Sequence, residues 1–338
     1  YTPRKCGIGT FTKDLRDALA EQISPRNTLV LAMDDDPAGY AYPDDVRFQI
    51  RAEEQRDYRN AAEMLNINQI DVTIVQHEYG IYGGKDGSYV LDLMRRLRMP
   101  IITTLHTVLT EPTRSQAMIM KEIGRLSDRL VVMSHLAHDI LNRNYSVPPE
   151  KVAFIPHGIP DVSFVDPSFH KDAFGFEGRK VLLTFGLLSP GKGIEYALQA
   201  MPRIVEQHPD VIYIVLGATH PHILRDEGDA YRNKLERMVD KLGIGDHVVF
   251  HNRFVELKEL VGYIGAADVY VTPYISPAQI TSGTLAYALG AGKAVVSTPY
   301  WYAEEMLADD RGRLVPFEDA DALAEAIIHL LDDEVERA

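Results

Sequence analysis

A glycine-rich stretch with one lysine follows an apolar segment in the second half of the chain. It runs from Gly186 to Gly193 and places Lys192 between two glycines, immediately before a predicted helix. Lysine is a compact cation, and the first N–H groups of a helix have no intrahelical partner, so this combination is suited to an anion such as phosphate. The Gly-x-x-x-x-Gly-Lys-Ser/Thr spacing of a P-loop is not met. Lys192 is therefore predicted to bind phosphate, and a lysine exposed to solvent is the alternative.

A second candidate anion site lies at the start of another predicted helix in the same half. Ser282, Gly283 and Thr284 stand there and would offer backbone N–H groups and two hydroxyls. An ordinary N-cap by Thr281 or Ser282 explains the same residues and is expected to form in either case. We predict that this helix start and Lys192 converge on one anion.

The first half offers histidines and tyrosines in place of cations. His106 follows a predicted strand, where its pKa near neutrality would suit a hydrogen-bond donor or a general base, and a core histidine is the alternative. His77, Glu78 and Tyr79 follow another predicted strand and open a glycine-rich loop. This mixture is suited to sugar hydroxyls and rings, so we predict that it lines a pocket in a cleft. No metal is expected, because a zinc-binding helix needs a second histidine one turn away.

Gly7 and Gly9 lie near the beginning of the chain, just before a predicted helix. Glycines at such a point let the backbone approach a ligand closely, and a plain tight turn is the alternative. The strand that should precede them is nearly absent and the first residue is Tyr1, so we expect the native N-terminus to be missing. The acidic run Asp34–Asp36 has no partner ligand and predicts a solvated loop.

Short apolar segments alternate with longer amphipathic segments along the chain, which is typical of parallel strands connected by helices. The predicted strands are 28–32, 71–76, 101–105, 129–133, 152–155, 181–185, 211–216, 247–250, 269–272, 294–298 and 313–315. The predicted helices are 12–22, 88–98, 112–126, 135–144, 194–207, 231–242, 257–264 and 320–331. The stretch 43–54 is predicted as a surface connection.

The alternation is interrupted between residues 156 and 180, where proline and glycine are frequent. We therefore predict an α/β protein with two doubly wound, Rossmann-like domains, 1–165 and 180–338, joined by a linker at 166–179. Two such domains are expected to face a central cleft, because ligands bind at the carboxyl ends of the strands in open α/β sheets.

The composition narrows the class of protein. The 338 residues include 35 lysines and arginines against 49 aspartates and glutamates, for a net charge of −14. An acidic chain is poorly suited to nucleic acid, so no such partner is expected. The single cysteine, Cys6, excludes an intrachain disulfide and fits a reducing compartment, so we expect a cytoplasmic location. No apolar run approaches the ~20 residues of a membrane span.

Several of these stretches together resemble the retaining GT-B glycosyltransferases of family 4. In the second half the matching stretches are Thr184–Gly193, Ala266–Pro273 and Gly283–Thr298. In the first half the Gly7–Gly9 stretch, His106 and Ile155–Ile159 also fit. The resemblance covers nearly the whole chain. It implies a GT-B fold in which the first domain binds the acceptor and the second binds a nucleotide-diphosphate sugar.

The resemblance also implies roles for individual residues. Lys192, with Gly283 and Thr284, would contact the donor phosphates, and Gly9 would lie beside them. His106 would lie near the transferring sugar. His106 and Lys192 are therefore the predicted catalytic residues, and Gly7, Gly186 and Ser282 are further predicted donor-site residues.

Three positions depart from the family's pattern. Leu187 stands where an arginine usually pairs with the lysine, and Gln279 and Tyr287 stand where two glutamates usually bind the donor sugar and the ribose. Gln279 can still hydrogen-bond sugar hydroxyls, whereas Tyr287 cannot accept two ribose hydroxyls as a carboxylate does. Arg253, just after a predicted strand, is a candidate replacement for the missing cation.

The resemblance predicts a retaining glycosyltransferase that moves a hexose from a nucleotide-diphosphate sugar to a glycan or another hydroxyl acceptor. GDP, UDP and ADP donors all remain open, and no cofactor is required. One alternative is a phosphorylase-like enzyme that uses sugar 1-phosphate or phosphate, because such a pocket tolerates loss of the arginine and the ribose-binding glutamate. The other is a catalytically silent carbohydrate-binding protein, since fold does not dictate function.

Overall fold

The structure, a computed structural model, describes residues 1–36, 38–162 and 166–337, without the side chain of His222. The chain forms two compact units, Tyr1–Gly158 (unit 1) and Ile159–Ala338 (unit 2). The predicted domain boundary after residue 165 lies outside the described residues. The predicted linker 166–179 contains a helix, Pro167–Phe174, so it is partly ordered into secondary structure.

Unit 1 contains two parallel sheets flanked by helices. Its strands are β1 (Val30–Asp34), β2 (Val46–Arg51), β3 (Thr73–His77), β4 (Ile101–Leu105), β5 (Arg129–Val132) and β6 (Val152–Phe154). Its helices are α1 (Gly7–Ile23), α2 (Gln55–Ile67), α3 (Val90–Met94), α4 (Arg114–Leu126) and α5 (His135–Tyr145). One sheet pairs β1 with β2, and the other has the order β3-β4-β5-β6. All of these pairings are parallel, as predicted.

Two elements of unit 1 correct the sequence prediction. The stretch predicted as a surface connection contains β2, where Val46, Phe48 and Ile50 alternate with polar residues that face solvent. The helix α2 was not predicted, although Tyr58, Ala61, Ala62 and Leu65 follow the spacing of one buried helix face. In both elements only one face is buried, so the apolar signal is weaker than in a central strand.

Unit 2 is built on one six-stranded parallel sheet with the order β12-β11-β10-β7-β8-β9. Its strands are β7 (Lys180–Phe185), β8 (Val211–Leu216), β9 (Val248–His251), β10 (Val269–Thr272), β11 (Ala294–Ser297) and β12 (Arg313–Leu314). Its helices are α6 (Pro167–Phe174), α7 (Ile194–Gln207), α8 (Pro221–Glu227), α9 (Ala230–Leu242), α10 (Leu257–Ala266), α11 (Gly283–Gly290), α12 (Trp301–Met306), α13 (Ala320–Asp332) and α14 (Glu334–Arg337). The strand order reverses between β7 and β10, and ligands bind at such a switch point in doubly wound folds.

Both faces of the unit 2 sheet are covered by helices. On one face Leu182 of β7 packs in a cluster with residues of α7, α9 and α13. On the other face Val181 and Leu183 pack with residues of α10, α11 and α12. Successive β7 side chains therefore enter opposite cores, which explains why the strand is continuously apolar. Within the described residues, no helix has the length and apolar character needed to cross a bilayer.

Candidate functional site

Two loops meet at the switch point of unit 2. The loop after β7 contains Gly193, whose φ of +62° lies in the left-handed region. A Cβ added to Gly193 would lie 1.9 Å from the carbonyl oxygen of Pro273, in the loop after β10. The Ile275 N–H also donates to the Gly191 carbonyl oxygen at 3.2 Å. Only glycine allows this backbone approach, so the glycine-rich sequence is explained by the contact between the loops.

Lys192 is held between these loops. Its Nζ donates to the Tyr274 hydroxyl at 2.5 Å and lies 4.1 Å from the centre of the same ring. Burial alone would raise the pKa of the Tyr274 phenol, but the Lys192 ammonium and the neighbouring hydroxyls of Thr284 and Ser282 lower it overall. Tyr274 therefore positions a cation at the carboxyl ends of β7 and β10.

The polar contacts continue from Tyr274 to the start of α11. The hydroxyls of Tyr274 and Thr284 lie 3.0 Å apart, and those of Ser282 and Thr284 lie 3.2 Å apart. Ser282 is also the N-cap, because its Oγ accepts from the Leu285 N–H at 3.3 Å. We call Lys192, Tyr274, Ser282 and Thr284 the Lys192 cluster. Lys192 and the start of α11 thus converge, while the predicted ordinary cap forms as well.

Gly186 and Gly283 border the same cluster. Gly186 has a φ of +115°, and a Cβ added there would lie 3.2 Å from the Thr284 methyl carbon and 3.9 Å from Lys192 Nζ. Gly283 is the first residue of α11, where backbone N–H groups lack intrahelical acceptors. The cluster therefore combines one ammonium, several hydroxyls and a helix start beside Gly186 and Gly283. Such a combination is a favourable environment for an anion.

The two positions that replace the family's glutamates make local contacts. The Gln279 side-chain amide is exposed and donates to the Thr281 carbonyl oxygen at 2.7 Å. Tyr287 is half-buried and packs against the core under α11. Gln279 is thus available at the surface of the loop, whereas much of the Tyr287 ring serves packing.

Arg253 follows β9, the edge strand two positions from β7. Its guanidinium forms a two-pronged ion pair with the Glu259 carboxylate of α10, with Nη1 2.7 Å from Oε2. In the part of the chain that the structure describes, no hydrogen bond or ion pair joins Arg253 to the Lys192 cluster. Its charge is already paired within its own part of the sheet.

In unit 1, His106 lies at the end of β4 beside the end of β3. Its backbone N–H donates to the His77 carbonyl oxygen at 3.0 Å, and its Nε2 lies 2.9 Å from Gln76 Oε1. Phe11 of α1 packs edge-on against the imidazole at 4.9 Å. Burial, together with the neighbouring His157, lowers the pKa of His106 to about 4. The ring is therefore neutral at physiological pH and acts there as a hydrogen-bonding group.

Glu78 forms a second polar contact in the same region. One carboxylate oxygen accepts from the Thr107 hydroxyl and the other accepts from the Tyr79 N–H at 2.9 Å. Burial raises the pKa of Glu78, although these hydrogen bonds oppose the shift. His106, Gln76, Glu78 and Thr107 thus form a polar group at the ends of β3 and β4, in which burial shifts the pKa values of His106 and Glu78 towards the neutral forms.

His77 and Tyr79 correct the sequence prediction, because both lie in the core. The His77 side chain is 0% exposed and packs between the rings of Tyr79 and Tyr82. Both of its ring nitrogens are buried and have no partner among the described residues, and burial lowers its pKa to about 3. Side chains of adjacent residues in a strand point to opposite faces of the sheet, and the His77 side chain, at the end of β3, points into the core. His77 is therefore a structural residue and does not line a pocket.

Gly7 and Gly9 also occupy places that differ from the predicted ones. The helix α1 begins at Gly7, so both glycines lie in its first turn and not in a preceding loop. A Cβ on Gly9 would lie 3.4 Å from the backbone of Tyr1, whereas nothing lies within 4 Å of one on Gly7. The helix start remains suited to an anion at Gly7, while a Cβ at Gly9 would make only ordinary van der Waals contact with Tyr1.

One group of residues is close enough to hold a metal ion within the described part of the chain. His329, Asp333 and Glu336 lie together at the exposed end of α13 and in α14. Glu336 already pairs with Arg313 and with His329. The group is a set of surface ion pairs and lies apart from the predicted site residues in sequence.

Sequence comparisons match both units to known families. Residues 166–338 match the family described as "Glycosyl transferases group 1", and residues 6–162 match "Glycosyltransferase Family 4". A phosphatidyl-myo-inositol mannosyltransferase of Mycolicibacterium smegmatis is 29% identical over 242 residues. That match covers 71% of this chain but only 58% of the relative.

Structural comparisons agree on the fold. Sucrose-phosphate synthase from Thermosynechococcus elongatus is similar with a TM-score of 0.73 and 19% identity, covering 98% of this chain and 86% of that one. Anabaena HepE, crystallised with UDP-glucose, is similar with a TM-score of 0.65 and 18% identity, covering 83% and 74%. At such identities the likeness establishes the fold alone, which is the predicted GT-B fold with two Rossmann-like domains. Since the group 1 match alone spans more than half of the 338 residues, the chain belongs to the group 1 glycosyltransferases of family 4.

Proposed function

We propose that the chain is a retaining hexosyltransferase that moves a sugar from a nucleotide-diphosphate donor to a hydroxyl of a glycan or another acceptor. The Lys192 cluster is the observation that carries the proposal. It joins an ammonium, two aliphatic hydroxyls and the start of α11 at the switch point of the sheet. Family membership supports the same reaction class.

The Lys192 cluster would act on the leaving group. As the bond between the anomeric carbon and the phosphate oxygen breaks, negative charge grows on the diphosphate. The Lys192 ammonium and the N–H groups of α11 would stabilise this charge, and fixed groups of this kind often supply the largest catalytic contribution. The acceptor oxygen bonds to the anomeric carbon from the same face, and its proton goes to the departing phosphate oxygen.

His106 is the proposed sugar-contacting residue of unit 1. With a pKa of about 4, its ring stays neutral at physiological pH. A neutral imidazole held by Gln76 is suited to hydrogen-bonding a sugar hydroxyl. The role proposed for His106 is therefore to orient the sugar, while the charged chemistry falls to unit 2.

The donor is proposed at the level of a nucleotide-diphosphate hexose. One relative is a mannosyltransferase, and one structural neighbour was crystallised with UDP-glucose. Mannose and glucose donors carrying GDP, UDP or ADP are thus the compounds to compare. No metal is needed for the proposed step, because Lys192 and α11 supply the positive potential.

Ligand-dependent stability tests the proposal directly. The chain is unfolded thermally with GDP, UDP, ADP and inorganic phosphate, and the best ligand is then tested as a hexose donor with a panel of glycan acceptors. A ligand at ~100 times its Kd stabilises the fold by ~2.7 kcal/mol, which gives a clear shift. We expect one nucleoside diphosphate to stabilise the chain and its hexose conjugate to be consumed.

Lys192→Ala assigns the effect to the cluster. We expect a loss of about 10²–10³-fold in kcat/KM, as for removal of one charge-stabilising group. Lys258→Ala, at an exposed lysine of α10, is the matched control and should behave like the unaltered chain. Equal rates for the two variants would refute the role of Lys192, and absence of binding by every nucleoside diphosphate would refute the transferase.

A phosphorylase-like activity is the second candidate, and the residue types at Leu187 and Tyr287 favour it. Neither position offers a charge, and the Tyr287 ring packs against the core where a ribose-binding carboxylate would otherwise stand. Such a site suits an inorganic phosphate without a nucleoside. Stabilisation by phosphate alone, with phosphate-dependent release of sugar 1-phosphate from an oligosaccharide, would establish this activity and exclude the first.

A further inference from the structure

A buried arginine lies at the carboxyl end of the neighbouring strand β8. Arg232, on α9, is only 4% exposed. Its Nη2 donates to the Gly217 carbonyl oxygen at 3.0 Å, and its Nε is buried without a partner. One side of the guanidinium is thus anchored to the end of β8, and the remaining donors are unused by the described residues.

The charge of Arg232 has no close counterpart among the described residues. The carboxylates of Glu236 and Asp229 act on the guanidinium electrostatically. Both residues are exposed, and neither forms an ion pair with Arg232 among the described residues. Burial accordingly lowers the pKa of the guanidinium, and the two carboxylates oppose the shift only in part. An unpaired buried arginine is costly to the fold, because desolvation is not repaid by a carboxylate. A bound anion would supply the missing counter-charge.

Two glycines connect this arginine to the Lys192 cluster. A Cβ on Gly217 would lie 1.9 Å from the Gly186 carbonyl oxygen, so the two backbones touch. Beyond them, the Leu188 N–H donates to the Ala218 carbonyl oxygen at 2.9 Å. Arg232 is anchored to Gly217, and Lys192 Nζ lies 3.9 Å from the Cβ position of Gly186. Two cations, Lys192 and Arg232, therefore lie on either side of Gly186 and Gly217 at the ends of β7 and β8.

We propose that Arg232 is the second cation of the diphosphate site and takes the place of the arginine expected at Leu187. The inference rests on the proposed function, because it assigns a residue to the donor's diphosphate group. Arg253 is the weaker choice, since Glu259 already neutralises it. Gly186 and Gly217 have no side chains, so an anion can approach the backbone between Arg232 and Lys192. A guanidinium can bind phosphate oxygens through more than one N–H group.

The test measures binding of the diphosphate group itself. Calorimetric titrations of the chain with inorganic pyrophosphate and with UDP, GDP and ADP are compared for Arg232→Gln, Arg232→Lys and Arg237→Gln. Arg237 is an exposed arginine on the same helix and is the matched control. We expect Arg232→Gln to weaken diphosphate binding at least tenfold, Arg232→Lys to recover part of the affinity, and Arg237→Gln to bind like the unaltered chain. The loss should be smaller for the corresponding nucleoside monophosphate.

The outcomes separate this inference from the proposed function. Pyrophosphate binding that depends on Arg232 while no nucleotide binds would support the inference and refute the transferase. A folded Arg232→Gln chain with unchanged diphosphate affinity would overturn the inference and leave the transferase intact. If Arg232→Gln fails to fold, the Arg232 Nε–H signal of the unaltered chain, assigned with Arg232→Lys, decides the matter by NMR. A shift on addition of pyrophosphate supports the inference, and an unchanged signal refutes it.

Discussion

Both units place polar residues at the carboxyl ends of parallel strands, but the two groups of residues differ in charge. In unit 2 the strand ends carry Lys192 and Arg232 as cations. In unit 1 they carry His106 and Glu78, whose pKa values are shifted by burial towards the neutral forms. The ends of parallel strands therefore carry a positive site suited to an anion in unit 2 and a group of hydrogen-bonding side chains suited to hydroxyls in unit 1. The difference arises from what surrounds the strand ends, because the strand order alone is compatible with either.

The largest effect is expected at the contact between the loops after β7 and β10 in unit 2. Gly193→Ala adds a Cβ 1.9 Å from the Pro273 carbonyl oxygen at a residue with a φ of +62°. We expect the free energy of unfolding to fall by about 3 kcal/mol, since steric overlap adds to the cost of a left-handed residue.

Gly191→Ala is the matched control, because nothing lies within 4 Å of the added Cβ and its φ is not in the left-handed region. Urea titrations of both variants measure the difference. Equal midpoints would show that the positive site does not depend on this backbone approach.

The sequence-based prediction succeeded where both faces of a strand are buried. The bounds of β4, β8 and β10 agree with the predicted strands, since continuous apolar runs are unambiguous between helical segments. It failed at β2, where alternation of apolar and polar residues was the available signal. Lys192 and Ser282 were predicted from local chemistry, and they are now seen in one cluster.

Other site residues were harder to find from the sequence. Tyr274 directly follows the recognised stretch ending at Pro273, but an aromatic residue there does not reveal that it holds a lysine. Arg232 shares its helix face with Leu235 and Val239, so a cation on an apolar stripe was the signal that could have found it. His77 was wrongly placed in a pocket, because the glycine-rich loop after it does not fix the direction of its side chain.

The buried His77 of unit 1 leads to a prediction about the dependence of stability on pH. The folded-state pKa of His77, about 3, lies below the ordinary value of 6.5. The unfolded chain therefore binds the proton first, and stability falls as the pH drops through 6.5 towards 3. We expect His77→Phe to reduce this loss and to stabilise the fold by about 1 kcal/mol at pH 7, because two unpartnered nitrogens are removed.

Urea titrations at pH 7 and pH 5 measure this effect. Between these values the difference in stability should be smaller for His77→Phe than for the unaltered chain. An identical dependence on pH would mean that His77 is protonated as readily in the folded chain as in the unfolded one, and the contrast between the units would then fail at this residue.

The smallest expected effect concerns the partner of Lys192. Tyr274→Phe removes the hydroxyl that accepts from Lys192 but keeps the ring beneath the ammonium. We expect a loss of about two- to fivefold in diphosphate affinity, in line with about 0.5–1 kcal/mol for a typical hydrogen bond.

Tyr302→Phe is the control for this substitution. The Tyr302 hydroxyl of α12 is buried and has no hydrogen-bond partner in the part of the chain that the structure describes, so its removal should leave binding unchanged. Calorimetric titration of both variants with the same nucleoside diphosphate makes the comparison. A loss of affinity in Tyr274→Phe that is no larger than the loss in Tyr302→Phe would refute a role of the Tyr274 hydroxyl in diphosphate binding.

The strand order of unit 2 also bears on how the chain folds as it leaves the ribosome. The central strand β7 pairs with β8 on one side, but its other neighbour, β10, follows only after β9 and α10 have been synthesised. Until Val269 emerges, the second edge of β7 stays unpaired, and such edges associate readily with other chains. A nascent or prematurely terminated chain that ends before β10 is therefore expected to aggregate. The positive site is completed only after that edge is paired, because Tyr274, Ser282 and Thr284 follow β10 in the chain.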